Sequence, residues 1–233
     1  PRSILITGCS SGIGHHAAHA LKERGYRVFA TARKTEDVER LRNEGLESLR
    51  LDLDDSDSIR NAVDDVLAAT GGTLDALFNN GGYGQPGAVE DLSRAMLRAQ
   101  FETNVFGTLE LTNAVIPVMR RQGHGRIVQN SSVLGFAAMP FRGAYIASKF
   151  ALEGLYDTLR LELANTGIQV ALIEPGPIES RFRANAYAVY QRTIDVERSP
   201  FRDNYRAMER RLAKPGPAAP FTTSNLQQEA SHK

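Results

Sequence analysis

The sequence predicts an α/β fold: one doubly wound parallel sheet with helices on both faces. Three observations lead there. Short apolar runs of strand length alternate with stretches of helical periodicity over most of the chain. The segments between successive runs are long enough for a crossover helix, which parallel strands need and hairpins do not. Turns rich in glycine and asparagine follow several of the runs, where an open sheet of this kind receives its ligand.

Composition narrows the remaining possibilities. A chain of 233 residues suffices for one large domain, and 42% hydrophobic with 24% charged residues is ordinary for a globular protein. The formal net charge of +1, with signs interspersed, leaves no footprint for nucleic acid or a membrane surface. The single cysteine, Cys9, excludes an internal disulfide and suits a cytoplasmic setting. No apolar run approaches the ~20 residues of a membrane span. The N-terminus does not read as a signal peptide.

Ser3-Ile4-Leu5-Ile6 reads as a buried first strand. Gly8-Cys9-Ser10-Ser11-Gly12-Ile13-Gly14 follows, then Ala17, Ala18, Ala20 and Leu21 at helical spacing. Strand, glycine turn and helix in that order suit a dinucleotide, because glycines admit a pyrophosphate to the backbone and the helix N-terminus attracts it. The spacing is G-x-x-x-G-x-G, and a plain turn into a helix is the competing explanation. Gly25 closes the helix, and Arg27 to Ala32 is the second strand. At its end stand Arg33 and Lys34, where an NAD site would offer an acid to the ribose. Arg33 can instead form a charge-assisted fork with a 2′-phosphate, so the expected cofactor is NADP(H).

Thr35, Glu36, Asp37 and Glu39 open the next helix. Leu49 to Leu53 is the third strand, with Asp52 placed either to accept from an adenine amino group or to cap the helix that follows. Ile59, Ala62, Val63, Val66 and Leu67 form an amphipathic stripe. Leu74 to Phe78 is the fourth strand and leaves through Asn79-Asn80-Gly81-Gly82-Tyr83-Gly84. From Met96 to Met119 an apolar pattern is interrupted by Asn104, a satisfied polar plug or a residue of the site. Arg126 to Asn130 is the fifth strand, running into Ser131-Ser132. A helix from Ala144 to Asn165 carries Tyr145 and Lys149, one turn apart on one face. An ammonium beside a phenol favours the phenolate, which makes an acid–base pair for a carbonyl or alcohol. The same spacing is common among surface residues. Ile168 to Ile173 is the sixth strand and ends in Glu174-Pro175-Gly176-Pro177.

These motifs, in this order, resemble the short-chain dehydrogenase/reductase family over roughly residues 2 to 183. Thr7 to Gly14 matches its cofactor loop, Asp52-Leu53 its adenine-contacting pair, and Asn79-Asn80-Gly81-Gly82 its Asn-Asn-Ala-Gly segment. Gly81 replaces the usual alanine, which should loosen that turn. Asn104-Val105-Phe106-Gly107 resembles the segment carrying the catalytic asparagine. Ser132 lies thirteen residues before Tyr145, the family's usual interval, so it is chosen over Ser131. Pro175-Gly176-Pro177-Ile178-Glu179-Ser180 resembles the nicotinamide-contacting motif, with Ser180 where threonine is usual. Ala151 to Leu155 and Ile173 to Ile178 look like the branch holding estradiol-type hydroxysteroid and retinol dehydrogenases and their bacterial relatives.

The resemblance implies a Rossmann-type catalytic core over residues 1–180 and a variable substrate-binding segment over 181–214. It implies Asn104, Ser132, Tyr145 and Lys149 as a catalytic tetrad. Tyr145 would be the proton donor, Lys149 would lower its pKa and hold the ribose, and Asn104 would hold a water. Gly8, Ser10, Ser11, Gly12, Ile13, Gly14, Arg33, Lys34, Asp52, Leu53, Asn80, Gly81, Gly82, Tyr145, Lys149, Pro175, Gly176, Ile178 and Ser180 would bind the cofactor; no metal is implied. The expected substrate is an aldehyde, ketone or alcohol. Phe136, Met139, Phe141 and Phe182 suggest a lipophilic one, although each is equally suited to the core. A homodimer or tetramer through the long helices is expected by analogy. The alternative is a non-catalytic dinucleotide-binding regulator or scaffold. Residues 215–233 read as a Pro-rich, irregular tail without the family's seventh strand.

Overall fold

The computed structural model describes residues 1–212, so the expected tail at 215–233 lies outside the described residues. The elements are β1 (Ser3–Ile6), α1 (Gly12–Glu23), β2 (Arg27–Ala32), α2 (Thr35–Asn43), β3 (Glu47–Arg50), α3 (Ser56–Thr70), β4 (Ala76–Asn79), α4 (Arg94–Phe101), α5 (Thr108–Gln122), β5 (Gly125–Asn130), α6 (Gly143–Glu162), β6 (Ile168–Ile173), α7 (Phe182–Thr193) and α8 (Arg202–Leu212). The sheet order is β3-β2-β1-β4-β5-β6, with every pairing parallel. This is the Rossmann order, and the crossovers change direction between β1 and β4.

Strand alternation divides the core. Leu5, Phe29, Leu77 and Ile127 face one layer, packed with α3, α5 and α6 residues such as Val66, Val115 and Leu152. Their neighbours Ile4, Ile6, Val28, Ala30 and Phe78 face the other layer, against Ala18, Val38 and Leu41 of α1 and α2. Side chains two apart share a face, so a sheet covered on both sides gives continuous apolar runs. At the β6 end the pattern changes: Ile168 and Val170 are buried, while Gln169, Ala171 and Ile173 are exposed.

Two strand ends differ from the sequence expectation. β3 stops at Arg50, because Leu51 to Leu53 leave the ladder to turn into α3, whose Asp55 side chain accepts from the N–H groups of Asp57 and Ser58. β4 runs on to Asn79, whose amide is held in the core by Thr112 Oγ1 at 2.8 Å and Tyr156 Oη at 3.0 Å.

The long apolar stretch containing Asn104 is a rod broken in register. α4 and α5 are joined by a π-helical segment, Glu102–Gly107. Gly107 is required there, since a Cβ would fall 1.8 Å from the carbonyl oxygen of Leu53. The rod can therefore pass the turn after β3 only with no side chain at this position.

Residues 181–212 form α7 and α8, and they have a small core of their own. Ala88, Tyr190, Ile194 and Tyr205 are buried together, with Met96, Phe141, Tyr187, Val196 and Phe201 packed around them. Tyr205 Oη accepts from Ala88 N at 2.7 Å and donates to Asp91 Oδ2 at 2.6 Å. Phe141 thus packs on this core, its ring against Phe201 and Tyr205. It is also, among the described residues, the non-glycine with positive φ, at 61°. No helix of the described residues is long and apolar enough to cross a membrane.

Candidate active site

The carboxyl ends of β1 and β4 are stitched into one cradle. Asn80 Nδ2 donates to the carbonyls of Thr7 at 2.9 Å and Gly8 at 3.2 Å. Thr7 Oγ1 in return accepts from the N–H groups of Asn80 at 2.9 Å and Gly81 at 2.8 Å. A Cβ on Gly14 would lie 2.4 Å from Asn80 Nδ2, and one on Gly8 would lie 2.7 Å from the Gly81 Cα. The turn at Gly81 is held by Thr7, and a Cβ there would press on Leu53 and Thr7 at 3.1 and 3.2 Å. Gly82 lies beside Asn104, whose Oδ1 would be 3.1 Å from a Cβ.

Gly8 and Gly12 have φ of 69° and 62°, a conformation that favours glycine. Ser11 precedes α1 in extended conformation with no capping side-chain bond, and the first turn holds no acid. The N–H groups at that end are left to an anion, as a pyrophosphate requires. Ser10 turns its carbonyl to Arg40 Nη2 at 2.7 Å, and Ile13 packs on the α1–α2 side of the core. These residues fit a nicotinamide dinucleotide.

Arg33 and Lys34 are exposed just after β2, at the same edge of the sheet. Asp52 gives Oδ1 to the N–H of Asp54 at 3.2 Å, while Oδ2 lies 4.0 Å from Arg50. Asp52 thus closes a turn and does not cap the helix that follows, which is capped by Asp55. Leu53 is buried under Gly81 and Gly107.

On α6, Tyr145 and Lys149 face this cradle. Lys149 is 6% exposed and donates to the carbonyl of Asn130 at 2.8 Å, with Nζ 5.5 Å from the centre of the Tyr145 ring. Burial lowers the Lys149 pKa to about 8. Burial also pushes Tyr145 up to about 12, with the hydrogen bond to Ser132 pulling the other way. The expectation that Lys149 brings the phenol down is not met in the chain by itself. Desolvation disfavours both charged forms, and it outweighs the Ser132 hydrogen bond at Tyr145 and the Glu153 charge at Lys149.

The two adjacent serines have different partners. Ser131 donates to the carboxylate of Glu153. Ser132 Oγ accepts from Leu134 N at 3.1 Å and meets the Tyr145 hydroxyl. Asn104 is buried, and its amide is largely committed: Nδ2 donates to Tyr83 O at 2.9 Å and Ser148 Oγ at 3.1 Å, and Oδ1 accepts from Tyr83 N at 3.1 Å. A water near Asn104 would have to use the remaining lone pair of Oδ1 or the backbone of the π-helical segment.

The motif after β6 closes the site from the other side. Pro175 accepts from Val133 N at 3.2 Å, and Gly176 and Ile178 are exposed. Ser180 lies against the glycine loop, its Cβ 3.2 Å from where a Gly12 Cβ would be, and its hydroxyl accepts from Phe182 N at 3.3 Å at the start of α7. The Phe182 ring stands edge-on to Tyr145, with centres 5.4 Å apart.

Sequence reasoning did not single out Thr7, Asn130, Gln100 or Ser148 as site residues. Thr7 and Asn130 sit at strand ends inside motifs already noted, which was the available signal. Gln100, which accepts from Gln85 N at 2.7 Å and donates to Tyr83 O at 2.8 Å, had none.

A family model described as short chain dehydrogenase matches residues 2–190. The chain belongs to the short-chain dehydrogenase family. It is 49% identical over 184 residues to the uncharacterized oxidoreductase YbbO of Escherichia coli K12, covering 79% of this chain and 68% of that one. It is 38% identical over 228 residues to human retinol dehydrogenase 8, covering 91% and 72%. Human 17-beta-hydroxysteroid dehydrogenase type 1 is 37% identical over 204 residues, covering 82% and 61%. Among solved structures, a short-chain dehydrogenase from Streptomyces avermitilis superposes with a TM-score of 0.75 at 31% identity, covering 99% and 91%. One from Burkholderia phymatum, in complex with NAD, has a TM-score of 0.79 at 26% identity, covering 92% and 80%. Short-chain dehydrogenase membership accounts for the strand order, the glycine cradle and the nicotinamide-type site.

Proposed function

We propose that this chain is an NADP(H)-dependent oxidoreductase interconverting a lipophilic aldehyde or ketone and its alcohol. The observation that carries the reading is the meeting of Tyr145, Ser132 and Lys149 beside the glycine cradle, at the carboxyl ends of the strands. A bound nicotinamide supplies or receives the hydride. The high pKa of Tyr145 keeps its hydroxyl protonated at neutral pH, ready to donate to a carbonyl oxygen. Ser132 donates a hydrogen bond to the same oxygen. Lys149, charged below about pH 8, favours the proton's departure from Tyr145 and binds ribose hydroxyls. Asn104 fixes the Tyr83 wall of the site and keeps a water between Lys149 and solvent.

Arg33, with Lys34 beside it and no acid at the end of β2, supports NADP(H) over NAD(H). Lipophilic substrates are supported by exposed Phe136 and Phe182 near the site, and by relatives whose names refer to retinol and to a hydroxysteroid. Residues 1–180 serve as the catalytic core and 181–214 as its substrate segment. Exposed Phe150, Leu155 and Leu161 on α6 support pairing of two copies through that helix. The test follows NADPH absorbance against a panel of aldehydes, ketosteroids and retinal. Oxidation is expected with at least one lipophilic carbonyl. Tight NADPH binding without turnover on any of them would favour a non-catalytic regulator or scaffold instead.

A further inference from the structure

Away from the cleft, α1 and the end of α2 bring three metal-ligating side chains to one point. His15 and His19 are four residues apart on α1, so their rings lie on one face, one turn apart. Glu44 follows α2 directly, held there by the burial of Val38 and Leu41 against α1. His15 Nε2 lies 2.7 Å and His19 Nε2 3.0 Å from the same atom, Glu44 Oε2. The ring planes are tilted by 59°, their centres 4.7 Å apart, so the rings converge at their Nε2 edges and do not stack. All three side chains are about one-third exposed, at 33%, 33% and 29%.

We infer that His15, His19 and Glu44 bind a divalent transition metal of the zinc type, at a site separate from the cofactor cleft. The three ligand atoms lie within 4.8 Å of one another. A tetrahedral zinc with bonds of 2.0–2.1 Å separates its ligand atoms by about 3.3 Å. The present His–Glu separations, 2.7 and 3.0 Å, and the 4.8 Å limit on the whole set bracket that spacing. Two imidazoles and one carboxylate suit Zn²⁺, Co²⁺, Ni²⁺ or Cu²⁺, whereas Mg²⁺ and Ca²⁺ prefer oxygen. The exposed side leaves the fourth position to water.

Arg40 shapes this site in two opposing ways. Its Nη1 donates to Glu44 Oε1 at 3.0 Å, which orients the carboxylate and leaves Oε2 facing the histidines. Its positive charge also opposes a cation nearby, so affinity is below that of a site without it. The competing description is a hydrogen-bonded clamp, in which both imidazoles donate to one carboxylate and no metal is taken.

The two descriptions separate in a zinc titration of untagged full chain near neutral pH, by equilibrium dialysis with elemental analysis and by thermal unfolding. The site predicts one zinc per chain, and a midpoint rise of roughly 5–10 °C at a hundredfold excess over Kd. His15→Ala and His19→Ala should each weaken binding at least tenfold, while His16→Ala, the exposed neighbour, should not. Co²⁺ should give tetrahedral visible absorption in wild type but not in His19→Ala. Circular dichroism and NADPH binding confirm that each variant is folded. Failure of wild type to bind zinc would overturn the site. So would binding that survives His15→Ala/His19→Ala or is lost in His16→Ala.

Discussion

Lys149 donates its buried ammonium to the backbone carbonyl of Asn130, 2.8 Å away. A carbonyl dipole compensates a buried charge less than a carboxylate would, so burial dominates and the pKa falls from 10.5 to about 8. Between those two values the unfolded chain binds a proton at this position that the folded chain does not. Folding stability should therefore rise with pH from about 8 towards 10.5 through this residue, and the contribution should disappear as pH falls below 8. Cys9, raised from 9.0 to about 12, acts in the opposite direction above pH 9, as do the buried tyrosines above pH 10. The difference in denaturation midpoint between wild type and Lys149→Met isolates the lysine. That difference should narrow as pH rises from 8 to 10; a constant difference would show that Lys149 keeps an ordinary pKa.

Tyr145→Phe removes the proposed donor and keeps the ring that packs on Phe182. Turnover should drop by 10²-fold or more, with NADPH affinity and melting temperature near wild type. Retention of more than a few per cent of the rate would assign proton donation elsewhere.

Arg33→Ala should lower the preference for NADPH over NADH at least tenfold, measured as the ratio of kcat/KM. The side chain is exposed, so stability should be unchanged. An unchanged ratio would mean that the 2′-phosphate is read by another group.

Two glycine substitutions should act in opposite directions. Gly14→Ala places a methyl 2.4 Å from Asn80 Nδ2 and 2.6 Å from the Gly8 carbonyl, so cofactor binding should be lost. Gly154→Ala, in the exposed part of α6, meets nothing within 4 Å and should stabilise the isolated chain by about 0.5–1 kcal/mol. Chemical denaturation and NADPH titration of the pair test both statements.

Tyr205→Phe leaves the N–H of Ala88 without its acceptor and takes one of two donors from Asp91 Oδ2, which keeps Ser199 Oγ at 2.7 Å. A cost of about 1–3 kcal/mol is expected, expressed as local loosening of α8. KM for the carbonyl substrate should rise more than kcat falls.

Much of this fold was legible because strands buried on both faces leave continuous apolar runs, and because Gly8, Asn80, Ser132 and Pro175 all follow strand ends. The choice of Ser132 over Ser131 has a local physical counterpart in the commitment of Ser131 to Glu153. Three things could not be read from the chain. The π-helical segment at Asn104 passes so close to Leu53 O that Gly107 has no room for a Cβ, a proximity between residues far apart in sequence. The direction of the Tyr145 shift depends on how deeply packing buries it, and helical spacing to Lys149 says nothing of that. Phe141 suited a lipophilic site and the core equally by position, and its ring packs edge-on against Phe201, 5.7 Å between centres, in the separate small core.

The cap of α7 and α8 is held by Tyr190, Ile194 and Tyr205 against Ala88, and none of these residues is part of the two layers that flank the sheet. Changes that reshape the cap draw on a separate set of packing contacts, so the two layers flanking the sheet keep theirs.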